Sequence, residues 1–113
     1  MKARNALLGA PPYQVEKALK KLGSDLRTAR LRRRLLIEDV AKKIGTSRFA
    51  VADAEKGKPS TGIAIYAALL WAYGFVDRLA EIIDPAQDEE GMTLSLHRTP
   101  SRAGRHKQLN NDF

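Results

Sequence analysis

Two short helical segments, separated by one tight turn, constrain the fold of this chain more than any other feature. The first runs from about residue 37 to 44 and ends at Gly45; the second runs from about residue 47 to 56 and ends at Gly57. Glycine at these positions supplies the left-handed backbone that closes a helix, and Ser47 is suited to cap the second one. The two segments are therefore predicted to pack closely against each other.

The residues inside these segments indicate how they pack. Ala41 is small enough to let two helices cross closely, and the apolar set that would lock the crossing is Val40, Ile44, Val51 and Ala54. This pattern predicts a helix-turn-helix. Its second helix would turn its remaining side chains outward.

The rest of the chain also favours helices. A first helix is predicted from Tyr13 to Leu22, ended by Gly23, and a second, arginine-rich helix begins after Ser24 as its cap. After the central pair comes a longer apolar helix, from about residue 62 to 73, with Tyr66 and Trp71 assigned to the core. The short helix "VDRLAEII" then breaks at Asp84, before proline. The fold class is all-α.

The two ends of the chain are predicted to differ from its body. Residues 1–12 are expected to be flexible, 13–84 to form the helix-turn-helix domain, and 85–113 to hold a strand and a basic flexible tail. The alternation in "MTLSLH" predicts a β-strand over 92–97 that pairs with the same strand of a second copy, disorder being the alternative. This strand forms the candidate dimer interface together with Leu79, Ile82 and Ile83.

The amino-acid composition of the chain indicates which class of partner it binds. The formal net charge is +7 and the pI is about 10.0, which favours nucleic acid over an acidic protein or a membrane surface. The chain has no cysteine, so disulfide scaffolds and zinc fingers are excluded, and no metal or cofactor is expected. No apolar run approaches the roughly 20 residues of a membrane span. A cytoplasmic, nucleoid-associated protein is expected.

The second helix of the pair holds the predicted DNA-reading residues. Arg48 is expected to pair with guanine, a contact worth about 1–3 kcal/mol of discrimination. Phe49 either packs on a thymine methyl group or folds back onto the protein, and Asp53 either accepts a hydrogen bond from cytosine or pairs with a nearby basic side chain. Phosphate contacts are expected from Ser47, Lys56 and Lys58. The other candidates are Ala52, Lys43 and Arg34.

Residues 24–76, with "LRTARLRRRLLIEDVAKKIGTSRFAVADAEKGKPS" as their core, resemble the Xre family of helix-turn-helix regulators, relatives of the Cro and lambda repressors. The resemblance lies in Arg30 and Glu55, in Val-Ala before Lys-Lys-Ile-Gly, and in Glu-Lys-Gly after the second helix. It implies a lambda-repressor-like five-helix DNA-binding domain, here with an extra N-terminal helix. It also implies a structural ion pair between Arg30 and Glu55.

The chain departs from this family pattern at the start of the first helix of the pair. Family members usually carry a polar cap and often a glutamine there, where this chain has Leu36 and Ile37. Phe49 likewise replaces what is commonly a small polar residue. The change at Leu36 and Ile37 removes expected phosphate contacts, although backbone amides at a helix N-terminus still approach a phosphate.

The flanks "ALKKLGSDLRTARLRRRL" and "DPAQDEEGMTLSLHRTPSR" resemble antitoxins of HipB type. That resemblance implies a homodimer that binds a pseudo-palindromic operator of double-stranded DNA, represses its own operon, and neutralises a HipA-like serine/threonine kinase toxin. The acidic stretch from Asp77 to Glu90 and the terminal "QLNNDF" are the candidate kinase-binding segments.

Other function classes stay open at this stage. A stand-alone Xre-type repressor without a toxin partner is one, and a protein-interaction adaptor that uses the helix-turn-helix only as a scaffold is another. RNA binding is disfavoured because the chain lacks aromatic stacking platforms. An enzyme is not expected, since the two histidines, His97 and His106, lie in the predicted tail and no serine sits in a nucleophile motif.

Overall fold

The computed structural model describes residues 5–98, which contain seven α-helices and no strand. The all-α fold class is thus confirmed. The helices are α1 (Ala6–Gly9), α2 (Tyr13–Arg32), α3 (Ile37–Ile44), α4 (Arg48–Glu55), α5 (Ile63–Tyr73), α6 (Val76–Ala80) and α7 (Glu89–Leu96), with a 3₁₀ turn at Pro85–Gln87. The chain divides into two compact units at the Leu79–Ala80 bond.

Helix α2 is continuous, so the prediction of two helices separated at Gly23 was wrong. Gly23 lies buried in the middle of α2, where an added Cβ atom would stand 2.5 Å from the carbonyl oxygen of Ala54 and 2.7 Å from the amide nitrogen of Gly57. The glycine therefore allows α2 to approach the end of α4, and it does not end a helix. It is a packing residue.

Helices α3 and α4 match the predicted pair. Gly45 closes α3 in the left-handed conformation, with φ 80°, and the amide of Thr46 donates to the carbonyl of Ala41 at 2.9 Å. Ser47 caps α4: its hydroxyl oxygen accepts from the amide of Ala50 at 3.1 Å. The turn between α3 and α4 is therefore closed by the glycine and the serine that predicted it.

The core of the first unit forms where α2, α3, α4 and α5 meet. Its buried apolar residues are Leu26, Val40, Ala41, Val51, Ala54, Tyr66, Leu69 and Tyr73. Trp71 is not among them: it is 55% exposed, so its assignment to the core was wrong. Helix α5 is apolar on every side, and it turns Tyr66, Leu69 and Tyr73 inward, which leaves Trp71 on the opposite face.

The second unit contains the 3₁₀ turn and α7. Residues 92–96 of the predicted strand lie in α7 and His97 follows its end, so the predicted intermolecular ribbon has no strand to build it. Asp88 caps α7 by accepting from the amide of Gly91 at 2.9 Å, and Glu89 and Glu90 occupy its first turn, where acidic side chains stabilise a helix. These local interactions outweigh the alternating pattern of the segment.

None of the helices within residues 5–98 combines the length and the apolar composition needed to cross a bilayer. The N-terminal segment expected to be flexible includes the single turn α1, capped by Asn5. The predicted basic tail, with the terminal "QLNNDF", lies outside the described residues.

Candidate nucleic-acid interface

One side of α4 is anchored in the core and the other is exposed. Val51 and Ala54 have no exposed surface, because they pack at the centre of the first unit. One turn earlier, Arg48 and Phe49 are exposed. The helix is therefore fixed by its apolar side and presents its N-terminal turn outward.

A buried ion pair holds α4 against α2. The Arg30 Nε atom donates to Glu55 Oε2 at 2.7 Å and Nη2 donates to Oε1 at 3.0 Å, with side chains only 8% and 5% exposed. A third donor, Nη1, reaches the carbonyl of Leu35 at 2.9 Å. The hydrogen bond to Glu55 raises the pKa of Arg30. The predicted pair is thus present, and loss of one partner would cost about 3–5 kcal/mol by leaving a buried charge uncompensated.

Arg48, the predicted base reader, has a partner that the sequence did not indicate. Its Nη1 atom lies 3.4 Å from Glu38 Oε2 of α3, and its guanidinium carbon is 5.2 Å from the centre of the Phe49 ring. Both charged side chains are more than half exposed. Such a pair contributes little in water, about 0–1 kcal/mol, so a DNA base or phosphate can replace Glu38.

Phe49 is 68% exposed. Of the two alternatives for this residue, folding back onto the protein is therefore not observed. Phe49 lines a cleft of about 510 Å³ together with Arg48 and Ala52 of α4 and with Leu36 and Glu38 at the start of α3. Leu36 is exposed as well. The N-terminal ends of α3 and α4 therefore present an apolar surface with one ion pair beside it.

Asp53 pairs with a basic side chain, which was the second alternative for that residue. Its Oδ1 atom lies 3.4 Å from Lys58 Nζ. Lys56 is exposed at the C-terminal end of α4. Ser47 accepts from Ala50 as described, which leaves its own O–H able to donate to a phosphate.

The two remaining candidates lie outside the cleft. Lys43 places its Nζ atom 5.7 Å from the centre of the Trp71 ring, so it lies beside α5. Arg34 is exposed in the loop that follows α2, with φ 55°. A left-handed conformation is uncommon for a residue with a side chain. The amide of Leu35 donates to the carbonyl of Arg30 at 3.2 Å and closes α2 around it.

Leu36, Ile37 and Glu38 line this cleft, and the sequence did not assign them to it. Glu38 is ten positions from Arg48, so no helical spacing connects the pair. Leu36 stood out only as a departure from the family pattern. Within residues 5–98 no group of three His, Cys, Asp or Glu side chains could hold a metal ion.

Comparison with known proteins gives no match: no family model, no curated protein and no solved structure matches this chain. The geometry and the charge of this surface are therefore the observations from which a function is argued.

Proposed function

We propose that the chain is a sequence-specific DNA-binding transcriptional regulator, with α4 as its recognition helix. The observation that carries the proposal is the position of Arg48 and Phe49. Both are exposed at the N-terminal turn of a helix whose opposite side is fully buried and braced by the Arg30–Glu55 pair. A recognition helix contacts base edges through its N-terminal residues, and arginine is the residue that most often reads guanine.

The charge of the first unit supports this proposal. The basic residues of α2 and of the stretch after α4 greatly outnumber the acidic ones there, whereas residues 81–90 hold five acidic side chains and no basic one. A polyanion is attracted to the first unit and repelled by the acidic segment. Lys56 and Lys58 contact phosphates on this proposal, and Arg48 reads a base.

One helix-turn-helix reads only a few base pairs, so we propose that the protein binds a pseudo-palindromic operator as a homodimer. The resemblance of the flanks extends the proposal to an antitoxin of HipB type in the nucleoid. In this role the protein represses its own operon and restrains a HipA-like kinase by binding it.

A protein-interaction adaptor is the second candidate, because the cleft beside α4 is apolar. Leu36 and Phe49 are both more than half exposed, and Arg48 is already paired with Glu38. An apolar surface of this kind is typical of a site for another protein. The two functions differ in salt dependence, since only phosphate contacts release counterions.

The test of the proposal is an Arg48→Ala variant on the duplex that lies upstream of the gene. Loss of a bidentate arginine–guanine contact weakens specific binding by about 1–3 kcal/mol, or roughly 5- to 150-fold. Fluorescence anisotropy gives the affinity, and circular dichroism checks that the helices are intact. The matched control is Arg27→Ala, which removes an exposed arginine of α2 outside the cleft. Equal affinity of the Arg48 variant and the wild type would refute the assignment.

A further inference from the structure

A second cleft, of about 460 Å³, lies on the first unit between α2, α5 and the start of α6. Its apolar lining includes Leu22, Leu26, Ala29, Leu70 and Phe75. None of the candidate DNA-binding residues contributes to it. We call this cleft the α2–α5 groove.

The α2–α5 groove carries positive charge. Arg32, Arg33 and Arg78 line it, whereas its one acidic residue, Asp25, is already paired with Lys21 at 2.7 Å. Arg33 donates to the carbonyl of Tyr73 at 3.2 Å and lies 5.3 Å from the centre of its ring; Arg78 lies 5.4 Å from the centre of the Phe75 ring. The guanidinium groups are thus held beside aromatic surface. An apolar side chain flanked by carboxylates has the complementary chemistry.

The chain itself contains such a segment. Ile82 and Ile83 are 72% and 82% exposed, and Glu81 and Asp84 flank them directly. Two adjacent isoleucines left in water form an exposed apolar patch, a feature that is typical of sites of protein contact. In a dimer with two-fold symmetry each copy would contribute one such segment and one groove, so the contact would be reciprocal.

We propose that residues 81–84 of a second copy occupy the α2–α5 groove, with the isoleucines against its apolar lining and the carboxylates beside Arg32 and Arg78. The inference rests on the proposed homodimer and gives it a contact surface. It does not depend on DNA binding, and its test contains no DNA.

Cross-linking of single-cysteine variants tests the contact directly, because the chain has no cysteine of its own. A full-length Thr28→Cys protein with an affinity tag is mixed with untagged Ile83→Cys protein and treated with a short bismaleimide. Thr28 lines the groove, so a cross-link between a tagged and an untagged chain is expected. Ser60→Cys, an exposed position outside the groove, replaces Thr28→Cys as the matched control and gives no such product.

Charge exchange gives an independent readout by sedimentation velocity. Arg32→Glu weakens dimerisation at least tenfold on this proposal, and addition of Glu81→Arg restores it, whereas Arg27→Glu on the same helix leaves it unchanged.

A wild-type dimer without the mixed cross-link and without the charge rescue would overturn the groove contact and leave the homodimer standing. A monomeric wild type would overturn both. A chain that carries both Thr28→Cys and Ile83→Cys tests whether the segment occupies the groove of its own copy. A cross-link that forms only within this chain, and never between two chains, would likewise refute a second copy as the occupant.

Discussion

The ion pair between Arg48 and Glu38 determines the charge that the proposed site presents. Both side chains are exposed and their nearest charged atoms are 3.4 Å apart, so the pair is weak in water. It nevertheless holds Arg48 toward α3 and places a negative charge where a polyanion would approach. On the proposed function, Glu38 therefore opposes binding to any DNA and raises the requirement for a matching base.

Replacement of Glu38 by glutamine is expected to strengthen DNA binding. The change removes a repelling charge and an exposed pair worth about 0.2–1 kcal/mol, so affinity rises roughly 1.4- to fivefold for both specific and shuffled duplexes. Anisotropy titration at low salt measures both affinities. Glu16→Gln is the matched control, because Glu16 forms a comparable exposed pair with Lys20 at 3.6 Å. Weaker binding of the Glu38 variant would show that this carboxylate helps to hold DNA.

Single residues differ in how far the sequence predicts their role. Arg30 and Glu55 were assigned from a family resemblance, and the structure shows their bidentate contact. The outward position of Phe49 was one of two alternatives, because an aromatic side chain satisfies either a protein or a DNA surface. The Glu38 contact had no sequence signal, since it depends on the crossing of two helices.

Helix ends were predictable wherever a cap decides them locally. Gly45, Gly57 and Gly74 all have positive φ, and each follows a helix that the sequence placed correctly to within one or two residues. Gly23 is also a glycine, but close packing requires it and not the end of a helix. The contact that requires it, with the backbone of residues 54–57, is distant in sequence, so no local pattern revealed it.

Replacement of Gly23 by alanine is expected to destabilise the first unit. The new Cβ atom would meet backbone oxygens at 2.5 and 2.7 Å, so α2 and the end of α4 must separate. Overpacking of this kind costs about 1–3 kcal/mol, more than the gain in helix propensity of about 1 kcal/mol.

Urea unfolding followed by circular dichroism measures this loss. Gly9→Ala is the control, because a Cβ atom at Gly9 has no neighbour within 4 Å, and the stability of that variant is expected to be unchanged or slightly higher. A Gly23→Ala protein as stable as the wild type would mean that the close approach of the two helices is not required.

Two elements show where sequence periodicity is insufficient. In α5 every position is apolar or small, so spacing does not select the buried face, and Trp71 was misassigned. In the segment 92–97 an apolar alternation of six residues fits a strand or a helix, and the upstream cap at Asp88 decides for the helix. The structure of a short apolar run can therefore be assigned only together with its flanking residues.

For the molecule as a whole, two core tyrosines limit the free energy of unfolding at alkaline pH. Burial raises the pKa values of Tyr66 and Tyr73 above their ordinary range. Between the unfolded and the folded pKa the native state holds protons that the unfolded state has released. The free energy of unfolding therefore falls as pH rises above about 10.

A Tyr73→Phe variant separates this effect from packing. The Tyr73 hydroxyl is buried without a hydrogen-bond partner among the described residues, so its removal is expected to leave stability at pH 7 unchanged or to raise it by about 1–3 kcal/mol. The loss of stability above pH 10 becomes shallower, as seen in urea unfolding at several pH values. The control Tyr66→Phe loses a hydrogen bond to the carbonyl of Lys58 at 3.4 Å, so it gains nothing at pH 7. An unchanged alkaline profile for Tyr73→Phe would exclude Tyr73 as a cause.

The net charge of the chain affects how its binding to DNA is tested. A net charge of +7 attracts any nucleic acid, so affinity for DNA alone does not show that α4 reads sequence. Sequence reading requires a preference that persists when salt weakens the phosphate contacts.

The most direct measurement is the anisotropy of wild-type protein on the upstream duplex and on a shuffled duplex of equal length, at several salt concentrations. A sequence-specific DNA-binding regulator is expected to lose affinity steeply with salt on both duplexes and to prefer the upstream duplex at every concentration. Equal affinity for the two duplexes, or an affinity that does not change with salt, would contradict the proposed function.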